Sequence, residues 1–133
     1  MYQAVTLASI VQREAVHAEE APLIASVYLN RLQTGMRLDA DPTVQYALGY
    51  NPVQLTWWTN PLSLDDFQRT SPFNTYLNDG LPPSPIDNPG PGALQAVASP
   101  AETAYTYFSA RCDGSSFHEF AETFQEHLRN ICP

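Results

Sequence analysis

LASIVQREA, residues 7–15, is the stretch that decides how this chain folds. Leu7, Ile10, Val11 and Ala15 recur at i, i+3, i+4 and i+8, so on a helix they form one apolar stripe that must be buried. Glu14 falls one turn after Ile10, on the edge of that stripe. A carboxyl held against an apolar wall has its charged form disfavoured, which suits it to donate a proton. Taken locally, the pattern favours the plainer reading, a boundary glutamate with its head in water.

Working outward, AVHAEEAP loses the helical period, so the first helix is expected to end near residues 17–20, before Pro22. Pro22 then suits the first turn of a second helix over 22–35, where a proline loses no hydrogen bond and Gly35 supplies the left-handed stop. Leu23 and Val27 line one side of it, and Ile24, Tyr28 and Leu32 the next. Asp41-Pro42 reads as an N-cap with proline at the first helical position, opening a short helix that Gly49 stops. The aromatic and β-branched run YNPVQLTWWTN, residues 50–60, predicts a strand or hairpin arm, or an excursion that packs Trp57 and Trp58 on a surface. Ser63 is expected to cap another short helix.

Residues 71–92, SPFNTYLNDGLPPSPIDNPGPG, have the composition of a linker. Phe73, Tyr76, Leu77, Leu81 and Ile86 argue instead for an ordered, proline-stiffened loop pinned to the domain. A short helix over 93–98 and a turn at 99–102 follow. YTYFSA, residues 105–110, is the best strand in the chain, and Asp113-Gly114-Ser115-Ser116 is a turn into a second strand over 117–120. A last helix is expected over 122–130. The fold class is therefore α+β: N-terminal helices, an ordered Pro/Gly-rich loop and a small C-terminal antiparallel hairpin, in one domain over 1–133.

Fourteen acids stand against six bases, a net charge of −8, and all six bases are arginine. That balance argues against nucleic acid and anionic membrane surfaces, and allows a neutral, hydroxyl-rich or peptide-like ligand. Without any lysine, pyridoxal phosphate cannot be held as a Schiff base, and no cofactor is expected. Three histidines without clustered spacing do not make a metal site. Cys112 and Cys132 fit either one disulfide, which would mark an oxidising compartment, or two buried thiols. No apolar run approaches the roughly 20 residues that span a bilayer. A helix so soon after Met1 suggests a piece of a longer protein.

LASIVQREA, ASVYLNRL with GMRLDADPTVQYALG, SPFNTYLNDGLPPSPIDNPG, AYTYFSA and HEFAETFQEH occur in an order that resembles the YceG-like family of endolytic murein transglycosylases, over nearly the whole chain. The chain departs from the family's usual pattern at Asp39-Ala40, where a glutamine and a hydroxyl residue are the rule, and at Ser84, where glycine is usual. The resemblance implies a lytic transglycosylase that cuts the MurNAc–GlcNAc bond of peptidoglycan and leaves 1,6-anhydro ends. It implies Glu14 as the one acid/base, and an excised catalytic domain whose full-length relatives carry a membrane anchor. The expected setting is the extracytoplasmic cell envelope. Glycan strands are the expected partner, together with cell-wall synthesis proteins, and the membrane enters only through a segment outside this chain.

Within that reading Asn30 and Arg31 are candidates for sugar hydroxyls or a lactyl oxygen, although an arginine ending a helix also serves the helix dipole. Thr43 is a weaker binding candidate, because it and Asp41 fit a helix start. Asn74 and Tyr76, on the stiff loop, lean towards substrate contact over turn formation. His118 and His127 read as structural. The rival functions are a glycan-binding domain without chemistry and a muramidase-type hydrolase that pairs Glu14 with Asp39 or Asp41.

Overall fold

The computed structural model describes all residues from Met1 to Pro133. Five α-helices and one two-stranded sheet follow each other as α1 (Tyr2–Glu14), α2 (Ala21–Thr34), α3 (Asp41–Leu48), α4 (Pro91–Ala98), β1 (Tyr107–Ala110), β2 (His118–Ala121) and α5 (Phe124–Asn130). The architecture is α+β. Helices α1, α2 and α4 pack on one another, β1 leans on α2, and α5 covers the hairpin.

The stripe predicted on α1 builds the core: Leu7, Ile10 and Val11 are buried against Ile24, Ala25 and Tyr28 of α2. Each large apolar side chain so buried contributes about 1.5–3 kcal/mol. Leu38, Ile86, Ala93 and Ala96 close the cluster. Helix α2 has Pro22 in its first turn and Gly35 at φ 78° as its stop. Both follow from the sequence.

Helix α1 starts five residues before the apolar stripe, because its first turn is solvent-exposed and carries no hydrophobic signal. It ends at Glu14 rather than at 17–20, where a separate 3-10 turn, Ala18–Glu20, leads into α2. Residues 50–60 are not a strand. Asn51 Oδ1 accepts from the backbone N–H groups of Val53 and Gln54, closing a tight turn that leaves one antiparallel bridge, Asn51 to Thr56. The helix expected after Ser63 is only the 3-10 turn Asp66–Gln68, with Ser63 and Asp66 bonding each other reciprocally.

The proline-rich segment is ordered and tied to the helices. Ile86 is buried and its N–H donates to Ser9 Oγ at 3.1 Å, while Gly90 N–H donates to Gln12 Oε1 at 2.8 Å. Phe73 and Leu81 pack against the core. The hairpin pairs Tyr107 with Ala121 and Ala110 with His118, so the first strand starts two residues later than expected and ends where expected, and the second lies one residue later. It is anchored to the α1–α2 corner by Glu20, whose carboxylate accepts from His118 N–H at 2.9 Å and bonds the His118 ring at 2.8 Å. His17 adds a stack on Phe117 at 3.7 Å. Cys112 and Cys132 are joined by a disulfide that ties the hairpin's turn to the end of the chain. No helix is long and apolar enough to cross a membrane.

Candidate active site

Glu14 is the last residue of α1, because Ala15 turns extended at φ −80°, ψ 109° while its N–H still closes on Val11. The buried Ile10 and Val11 fix the rotation of the helix, and so aim Glu14 into a cavity of about 590 Å³. Tyr28 of α2, Asp39 and Asp41 before and at the start of α3, Tyr76 of the long loop, and residues of β1 and α5 form the other walls. Burial pushes the Glu14 carboxyl up to about 8, and the negative charge of Asp41 adds to it. The Tyr28 hydroxyl and the Arg13 guanidinium pull the other way without cancelling the rise. The negative C-terminal end of α1 also opposes a carboxylate there. At neutral pH the group is an acid with its proton on.

Two of the binding candidates reach this cavity. Arg31 is 8% exposed, and its guanidinium is largely committed. Nε donates to Thr106 O at 2.7 Å, and one terminal nitrogen donates to the carbonyls of Arg37 and Leu38 at 3.1 and 3.2 Å. Asp39 lies 3.7 Å from that same nitrogen. Arg31 thus locks the hairpin and the α2–α3 connection around the cavity while showing it positive charge. Tyr76 donates its hydroxyl to Asp41 Oδ1 at 2.6 Å, and burial raises its own pKa far above the phenol range.

Three candidates lie elsewhere. Asn30 faces the opposite side of α2, where its amide donates to Thr103 O and Tyr105 O at 2.9 and 2.8 Å. Thr43 is fully buried, its hydroxyl bonded to Ala40 O and Thr75 Oγ1. Asn74 is fully buried too, donating to the carbonyls of Phe67 and Arg69 at 3.1 and 2.8 Å and accepting from Tyr76 N–H. It shapes the loop and offers nothing to a ligand. Asp41 is not the N-cap: Ala40 holds that position without a side-chain bond, and the Asp41 carboxylate serves Tyr76.

The sequence reading missed Tyr28, assigned to the core by its period, and His127. The Tyr28 ring is buried, but the residue lines the cavity with Glu14 and lowers its pKa, a placement that no local pattern marks. Trp58, half-buried, lies under the Arg13 guanidinium at 3.9 Å, whereas Trp57 is exposed and packs edge-on against Tyr50.

Residues 1–132 match the model of the YceG-like family. The chain belongs to the YceG-like family. Among its relatives are proteins named endolytic murein transglycosylase from Bacillus subtilis, 37% identical over 96% of this chain, and from Streptococcus pneumoniae, 30% identical over 95%. A crystal structure of a yceG-like protein, lmo1499 of Listeria monocytogenes, superposes with a TM-score of 0.86 at 38% identity over 96% of this chain. The chain spans 33% and 22% of the two named relatives and 39% of the Listeria chain. In this YceG-like chain Asp39 puts a carboxylate at the cavity rim, at a positive φ of 48° and beside Arg31. Ser84 sits in the proline-rich loop and is not among the cavity walls.

Proposed function

We propose that residues 1–133 are the catalytic domain of a lytic transglycosylase that cuts the MurNAc–GlcNAc bond of peptidoglycan, with Glu14 as acid and then base. The observation that carries the reading is a single carboxyl raised to about 8 on the wall of a cavity sized for sugar residues, in a chain whose relatives are named endolytic murein transglycosylases. Protonated Glu14 gives its proton to the bridging oxygen as the C1–O bond of the muramic residue breaks. The carboxylate so formed then takes the proton of the C6 hydroxyl, whose oxygen bonds to C1 and closes the anhydro ring. Glu14 ends as it began, and no water is consumed.

Asp39 and Asp41 share the cavity, so a hydrolase with a second carboxylate as its base is the competing reading. Both are engaged, Asp41 by Tyr76 and Asp39 by Arg31, which disfavours either as a free base. The names of the relatives support work at the cell envelope, and we infer that the domain acts outside the cytoplasm, carried by a longer membrane-anchored protein alongside the wall-synthesis machinery. Mass spectrometry of purified peptidoglycan digested by the wild type and by Glu14→Gln tests the proposal. Anhydromuramyl ends that vanish in the variant support it. Reducing ends point to the hydrolase, and an unaffected variant removes Glu14 from the chemistry.

A further inference from the structure

Buried polar side-chain atoms without a hydrogen-bond partner are confined to three residues: both oxygens of Asp87, Oγ of Ser109 and Nδ1 of His127. Ser109, on β1, and His127, on α5, stand on one wall of the Glu14 cavity. The His127 Nδ1 and Ser109 Oγ are sealed in the wall, but the other ring nitrogen of His127, Nε2, is neither sealed nor bonded to the protein, which leaves one free polar group on a residue of the cavity wall. We propose that His127 is a substrate-positioning residue, its Nε2–H donating to the uncharged carbonyl of an N-acetyl group on the glycan, with Ser109 beside it. This rests on the glycan reading of the cavity.

The ring of His127 is held in place. It stacks on Tyr107 at 5.1 Å with only 24° between planes, and Phe124 flanks it at 6.2 Å. Nδ1 is sealed and faces no acceptor, so a proton there would be a buried, unpaired donor. A bare lone pair is cheaper, which puts the proton on Nε2 and leaves the ring neutral. Burial, helped by the positive charge of Arg31, lowers the His127 pKa in agreement. Nε2 makes no bond to the protein and is not sealed as Nδ1 is. A neutral donor suits an uncharged acceptor, whereas a carboxylate would be drawn to Arg31. A secondary amide presents such an acceptor in its C=O. Every sugar of an N-acetylated glycan carries one.

The test uses the Glu14→Gln chain, so that ligand survives, and a soluble glycan strand stripped of stem peptides, in N-acetylated and de-N-acetylated forms. Adding His127→Phe, which keeps the stack on Tyr107, should weaken binding of the N-acetylated strand roughly three- to tenfold, the worth of one neutral hydrogen bond. Adding His127→Gln, which restores a donor, should recover most of it, and neither change should alter binding of the de-N-acetylated strand. Nitrogen-15 spectra of the imidazole should show the Nε2–H tautomer at neutral pH, with a shift on adding the N-acetylated strand alone. Thermal melts check that both variants fold. Equal loss with both strands, unchanged binding by His127→Phe, or no binding by the Glu14→Gln chain overturns the proposal. A wild type that makes no anhydro ends while this binding pattern holds refutes the transglycosylase and leaves the His127 site standing.

Discussion

Replacing Glu14 by Gln should make the protein progressively more stable than the wild type as the pH rises. In the unfolded chain the carboxyl titrates at its ordinary value of 4.5, and in the folded chain at about 8. Between those values the folded protein must hold a proton that the unfolded chain has released, so wild-type stability falls as pH rises through the window. A difference of about 3.5 pH units at ~1.4 kcal/mol each sets a ceiling of about 5 kcal/mol. The side chain is partly exposed to the cavity, and solvent there screens roughly half of it, leaving about 2–3 kcal/mol. Glutamine never charges and escapes the penalty. Asp87, which burial also raises, to about 6, is present in both proteins and cancels in the difference. Urea unfolding at about pH 5 and about pH 9, with the disulfide intact, reads the effect as a gap that opens with pH. A gap that stays constant within about 0.5 kcal/mol between those pH values refutes a strongly raised Glu14.

Asp41→Asn removes the nearby negative charge that helps to raise Glu14, so the alkaline limb of activity should move to lower pH. A limb that stays put dissociates Asp41 from Glu14. Asn74→Ala strands the carbonyls of Phe67 and Arg69 and should cost about 2–4 kcal/mol in urea unfolding, whereas a surface asparagine would cost little. Replacing Cys112 and Cys132 together by serine opens a loop with a sequence separation of 20, for an expected loss of ~3 kcal/mol by the chain-entropy model. Chemical denaturation checks it, and unchanged stability would mean that the sulfurs are not joined in solution.

The parts of the fold that the sequence shows are those with a strong local rule. Helix α2 has a proline at its start, a glycine at its end and a periodic face between, and the structure follows all three. The hairpin is legible because YTYFSA and the Asp-Gly-Ser turn agree. The 50–60 run misleads because its strand-forming residues are overruled by Asn51, whose side chain caps a turn no propensity scale weighs. Of the cavity's walls, Glu14, Arg31 and Tyr76 are legible in the sequence. Thr43, Asn74 and Tyr76 look alike as polar residues near prolines, yet only Tyr76 faces the cavity: Thr43 and Tyr76 are placed by partners some thirty residues away, and Asn74 turns inward to the carbonyls of its own loop. Tyr28 and His127 escape notice for the same reason: each is placed by packing between segments remote in sequence.

In the proposed reaction Glu14 works alone and the C6 hydroxyl, not water, attacks C1. Digesting peptidoglycan in water enriched in oxygen-18 tests it in one measurement. New muramic ends should carry no added label and a mass lower by one water than a hydrolysed end. One labelled oxygen at each new end would contradict it and make the enzyme a hydrolase that draws on Asp39 or Asp41.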